Sequence, residues 1–158
     1  MDKRYLLLIE ALEGTTKDLT RLVKPLNEVT ARLHPPNGWS IATIIAHLIY
    51  IEPLFLARLK RIVEQDNPYE PFINPDEAEH LATAGKLTVA ELIEAFKTQR
   101  AITTSFLAEL TQPQWLRTCT HETFGVTRLR KQVEILIGHD NEHLAQMVNV
   151  REWLEKQK

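Results

Sequence analysis

The chain predicts an all-α fold, a four-helix bundle in up-down-down-up order, on three observations. Four long stretches repeat apolar residues every three or four positions, and no run of period-two alternation separates them. The stretch between the second and third is far too long for a turn. Only five glycines occur among 158 residues, which suits long helices better than many turns.

The first helix is expected over roughly Asp2 to Val23, with Tyr5, Leu8, Ile9, Leu12, Leu19 and Leu22 near one stripe and Pro25 at its end. A short amphipathic piece around Leu26 to Leu33 follows, and His34-Pro35-Pro36-Asn37-Gly38 breaks the pattern. Ser40 is a good N-cap for the second helix, which carries Ile41, Ile44, Ile45, Leu48, Ile51, Phe55, Leu59 and Ile62. Pro53 inside it predicts a kink or a lost hydrogen bond, because its nitrogen cannot donate to the carbonyl of Ile49.

Thr88-Val89-Ala90-Glu91 reads as a capping box opening the third helix, which continues through Phe96 and Phe106 to Leu110, with Pro113 closing it. The fourth is expected from about Thr127 to Lys156, its seam formed by Leu129, Val133, Leu136, Asp140, His143, Met147, Val150 and Leu154. The link from about Gln65 to Leu87 holds three prolines and five acidic residues. A helix of about 26 residues is roughly 40 Å long. A link of this length can run back along it, which makes helices two and three parallel under an overhead crossover. No internal repeat or domain boundary is visible, so one domain over residues 1–158 is expected.

Composition excludes several classes of function. Nineteen Lys plus Arg against 21 Asp plus Glu leave a net charge of -2, which disfavours a nucleic-acid binder. One cysteine, Cys119, allows no internal disulfide and points to a reducing, cytoplasmic setting. The apolar run after Lys3 and Arg4 stops at Glu10, short of an export signal. The stretch from Ile41 to Ala57 is interrupted by His47, Glu52 and Pro53, so no membrane span is expected.

Three of the six histidines fall on apolar faces. His47 lies between Ile44 and Ile51 on the second helix, and His139 and His143 lie four apart on the fourth. Residues four apart share a helical face, so both rings can point at one ion, and a third imidazole from a neighbouring helix completes a three-histidine site with an open position. Six histidines in this length give such a pair by chance roughly one time in five, so the spacing alone decides little. A lone histidine on an apolar face is more often a hydrogen-bonded core residue, but three inward rings on two packed helices need partners together, which a metal supplies.

His139-Asp140-Asn141-Glu142-His143 also matches the H-x-x-E-H pattern of inverted zincins. That class takes its third ligand from far downstream, and only 15 residues follow His143. The peptidase reading is therefore set aside.

Pro35-Pro36-Asn37-Gly38-Trp39-Ser40, running on through Ile41 to Leu48 and then Glu52, resembles the entry of the DinB-like (DinB/YfiT) family. A second block is similar to the same family: Phe124-Gly125-Val126-Thr127-Arg128-Leu129, leading to Gly138-His139-Asp140-Asn141-Glu142-His143-Leu144-Ala145-Gln146-Met147. The resemblance implies the up-down-down-up bundle and a metal site whose ligands fall on His47, His139 and His143. It also implies a metal-dependent activity in which a divalent ion (zinc, nickel or iron) makes a thiol or a water nucleophilic at neutral pH. Relatives include S-transferases and isomerases that use low-molecular-weight thiols, so a small thiol and an electrophile are the implied partners, in S-transfer, hydrolysis or detoxification. Homodimers occur in the family, although nothing in this sequence demands one. The competing reading is a non-catalytic metal-binding or dimerising bundle.

Other residues take secondary places. Glu142, beside the paired histidines, is either a base or a solvated carboxylate. Asp140 on the seam either orients an imidazole or makes an inter-helix hydrogen bond. Glu52 is a further candidate to support a ligand. Trp39 is expected to staple the start of helix two rather than contact a ligand, Trp115, Trp153 and Met147 to pack in the core or an interface, and Cys119 to be an unreactive loop thiol. His34, His80 and His121 are expected in solvated loops, His121 being notable because its segment leads into the ligand helix. The acidic crossover reads as a solvated loop or as a lid.

Overall fold

A computed structural model describes residues 2–158. Asp2 accepts from the backbone N–H of Arg4 and starts α1 (Lys3–Val23), and a 3-10 turn (Thr30–Arg32) follows. Ser40 accepts from Thr43 N and starts α2 (Ile41–Glu64); such a cap is worth about 1 kcal/mol. Glu64 is reached without a break in α2, so Pro53 interrupts no helix; its ring lies on the exposed side.

The crossover is more structured than a solvated loop. It contains a two-residue strand β1 (Tyr69–Glu70) and a ten-residue helix α3 (Glu77–Lys86) capped by Asp76. The expected capping box is present at the start of α4 (Val89–Ala108), with Thr88 and Glu91 satisfying each other's backbone N–H groups. Pro113 does not simply close that helix. It lies in the first turn of a short helix, α5 (Gln112–Trp115), where a missing N–H costs nothing.

Residues 118–128 then form strands β2 (Thr118–His121) and β3 (Gly125–Arg128), so α6 (Leu129–Glu155) begins two residues later than the sequence suggested. β2 pairs antiparallel with β3, with Cys119 opposite Thr127, and parallel with β1, with Glu70 opposite His121. Gly125, at φ +67°, supplies the left-handed residue after the three-residue hairpin loop. The expectation of no strands fails here because four-residue strands are too short for alternation to declare itself.

Helices α1 and α4 pack together, as do α4 and α2, α2 and α6, and α6 and α1. Two apolar clusters fill the interior. One holds Leu19 and Val23 of α1, Ile41 to Leu48 of α2, Leu92 and Phe96 of α4, and Met147 and Val150 of α6. The other holds Tyr5 and Leu12, Ile51 to Ile62, Leu107, and Leu129 to Leu136. The helix directions follow from this distribution: α1 and α6 run from the second cluster to the first, and α2 and α4 run the other way.

Helix α2 is long and apolar enough to cross a membrane by length and composition, yet 67% of its most apolar window is buried in the bundle. That burial accounts for its hydrophobicity. Between the two clusters each of the four long helices contributes polar side chains to a largely buried middle layer: Thr15, His47 and Glu52, Arg100, and His139 with Asp140.

Candidate metal centre

His47 sits where α2 passes from one apolar cluster to the other, and its ring is almost fully buried. Four-residue spacing on α6 stacks His139 and His143 opposite it. Nε2 of His47 lies 3.0 Å from Nε2 of His139, which lies 3.2 Å from Nε2 of His143. These spacings are close to the roughly 3.3 Å between imidazole nitrogens that share a tetrahedral ion.

The tautomer of His143 fits that purpose. Nδ1 of His143 donates to Oε1 of Gln146 at 2.8 Å, which leaves its Nε2 with a free lone pair. Three Nε2 atoms this close together need a cation or protons between them. Two of the rings do not take up a second proton readily. Burial and the neighbouring histidines lower the pKa of His47 from 6.5 to about 3, and burial, His143 and Arg100 lower that of His139 to about 4. The three nitrogens are therefore suited to a divalent transition metal. Nδ1 of His47 and of His139 is buried without a hydrogen-bond partner among the described residues.

Beside the triad lies a second polar group. Arg100 donates from Nε and Nη2 to the two oxygens of Glu52, both at 2.8 Å, and from Nη1 to Asp140 at 2.7 Å and to the carbonyl of Leu12 at 2.9 Å. Thr15 Oγ1 donates to Asp140 at 2.9 Å. Of the two roles open to Asp140, this is the inter-helix one: its partners are Arg100 and Thr15, not an imidazole. Glu52 likewise pairs with Arg100. One guanidinium between two carboxylates leaves this buried cluster with a formal charge of -1, which favours a cation nearby.

The sequence missed Arg100, although a charged residue four past Phe96 on an apolar stripe was the available signal. Gln146 was missed too, and its signal was its position three past His143.

Two histidines expected in solvated loops are buried. His80 lies on α3, 1% exposed, with its ring centroid 4.9 Å from Trp39 and 5.2 Å from His47, and burial lowers its pKa. Trp39 does more than staple a helix, since its ring also lies 5.2 Å from His47 and stacks on His143 at 6.1 Å. His121 lies on β2, 3% exposed. His34 is exposed, as expected. Cys119 is on β2 rather than in a loop, fully buried, with its thiol pKa raised by burial, which keeps it unreactive.

Beside His47 and His139 opens a cavity of about 430 Å³. Its lining is mostly apolar (Ile51, Phe55, Phe72, Ile73, Phe124 and Ile135), and His47 and His139 form part of it. The crossover supplies Phe72, Ile73 and Pro75, so part of that segment covers the cavity. Glu142 is exposed on the cavity wall.

Residues 11–147 match the model of the DinB superfamily. No curated protein matches the chain in sequence. Among solved structures it is similar to YfiT from Bacillus subtilis, described as a probable metal-dependent hydrolase with an unusual four-helix bundle topology. That match has a TM-score of 0.81 at 18% identity and covers 98% of this chain and 90% of that one. It is also similar to a mycothiol-dependent maleylpyruvate isomerase, with a TM-score of 0.71 at 13% identity, covering 90% of this chain but 60% of that one. A DinB-like protein of B. subtilis, YjoA, matches with a TM-score of 0.64 at 17% identity, over 93% and 91% of the two chains. At these identities the likeness is one of fold.

Proposed function

The chain belongs to the DinB superfamily, and on that premise we propose that it is a metal-dependent enzyme acting on a small electrophile, with His47, His139 and His143 as the metal ligands. The observation that carries this reading is the meeting of three Nε2 atoms, at 3.0 and 3.2 Å, on the edge of a cavity large enough for a small molecule. A divalent transition metal, when bound there, supplies a nucleophile from water or a thiol near neutral pH.

The protein's own residues do the rest. Gln146 holds the proton of His143 on Nδ1 and so keeps Nε2 available. The apolar part of the wall seats the electrophile. Glu142, on the wall one residue before His143, takes up the proton that the nucleophile releases. The similarity to YfiT supports hydrolysis, with water as nucleophile, and that to the mycothiol-dependent isomerase supports a thiol.

The test is a turnover screen of the metal-loaded protein with an activated ester, and with bacillithiol, mycothiol, glutathione and coenzyme A against a model haloarene. Turnover with at least one nucleophile is expected, dropping to background in His139→Ala and after chelation. Equal rates for wild type and His139→Ala would overturn the reading. Metal binding without turnover would leave a non-catalytic binding role.

A further inference from the structure

The far part of the cavity holds charge that the triad does not need. Arg58 is 2% exposed, stacks over the Phe55 ring at 5.1 Å and lines the cavity. A guanidinium offers five N–H groups. Nη1 donates to Oε1 of Gln132 at 3.2 Å and Nη2 to the carbonyl of Pro71. Nε, also buried, makes no hydrogen bond among the described residues, lying 3.4 Å from Oε2 of Glu70.

Glu70 does not neutralise Arg58 alone, because Arg61 holds both its oxygens at 2.8 and 2.6 Å. Two guanidiniums thus share one carboxylate, and the group keeps a formal charge of +1. His121 lines the same cavity. Its Nδ1 accepts the backbone N–H groups of Thr123 at 3.1 Å and Phe124 at 3.4 Å, so its proton sits on Nε2. This part of the cavity therefore presents two donors, one of them cationic, set in apolar walls.

We propose that Arg58 and His121 form an oxyanion subsite, so that the substrate is a small molecule with an apolar body and a carboxylate, its reactive centre at the other end, towards the histidine triad. The subsite rests on the reading above for which end reacts, but its binding chemistry can be measured without turnover. A buried, underpaired guanidinium beside a neutral N–H donor favours an acceptor that carries negative charge over one that does not. The apolar walls between donors and triad fit an aryl or alkyl spacer.

The probes are 4-phenylbutanoate and its uncharged counterpart 4-phenylbutanamide, titrated calorimetrically into metal-loaded protein. The wild type binds the carboxylate about tenfold more tightly than the amide. Arg58→Gln brings that ratio to about one. Since Arg58 also packs against Glu70 and its loss can unfold the chain, His121→Asn is the second variant. It keeps an acceptor for the hairpin N–H groups, removes the Nε2 donor, and lowers the ratio about threefold.

His139→Ala keeps the full preference, because the carboxylate does not sit on the metal. Equal binding of the two probes by the wild type would overturn the subsite, as would a preference undiminished in His121→Asn or one abolished in His139→Ala. A protein that turns nothing over yet prefers the carboxylate through Arg58 would contradict the enzyme reading and leave this one standing.

Discussion

Gln146 shows how little separates three histidines from a metal site. Its amide oxygen accepts the Nδ1–H of His143 and so decides which nitrogen faces the other two rings. Gln146→Leu removes the acceptor without touching a ligand, and zinc affinity by competition titration should fall about 10- to 100-fold; unchanged affinity would show that the bond orients nothing.

The protonation behaviour of the metal-free site follows from burial. His47 and His139 have folded pKa values of about 3 and 4, against 6.5 when unperturbed. Between about pH 4 and 6.5 the unfolded chain binds protons there that the folded chain does not, so stability of the metal-free protein rises with pH across that window. Urea melts of chelated protein should show wild type losing stability relative to His47→Leu/His139→Leu as pH falls from 6.5 to 4. A constant difference would contradict it. At this scale the three triad residues were legible because their spacing and apolar setting are local properties. His80 and His121 were not, because burial by a distant segment leaves no mark in neighbouring positions, whereas the mark Arg100 leaves is only its place four past Phe96 on an apolar stripe.

Among the elements, α4 carries the least expected feature. Arg100 joins α2 and α6 through Glu52 and Asp140 and bonds the α1 backbone at Leu12, so all four long helices meet on one guanidinium. Arg100→Met leaves two buried carboxylates unpaired and should cost about 3–5 kcal/mol in chemical denaturation. Adding Glu52→Gln and Asp140→Asn should restore part of that loss. A cost below about 1 kcal/mol for the single variant would mean that the cluster is solvated.

The long helices, their Ser40 and Thr88 caps and the crossover were readable from periodicity and capping chemistry. The small sheet was not. Strand β1 is two residues long and pairs with β2 about fifty positions away, and its only local trace in the partner hairpin is Thr118-Cys119-Thr120-His121 with Gly125 after the loop. That hairpin and α3 bring His121, Phe124 and His80 to the site, so the unread elements are also the ones that shape it.

For the molecule as a whole, two apolar clusters enclose one polar layer, and the layer holds the histidine triad. Hydrophobic burial fixes the four helices on either side, and the layer between them holds the histidines close together before any ion arrives. Such pre-organisation raises affinity, since little conformational freedom is lost on binding. The direct measurement is X-ray absorption at the zinc edge on protein loaded with one equivalent of Zn(II). Three imidazole nitrogens at about 2.0–2.1 Å are the predicted result, falling to two in His139→Ala. Fewer than three imidazoles in the wild type, or a spectrum that His139→Ala leaves unaltered, would contradict the account.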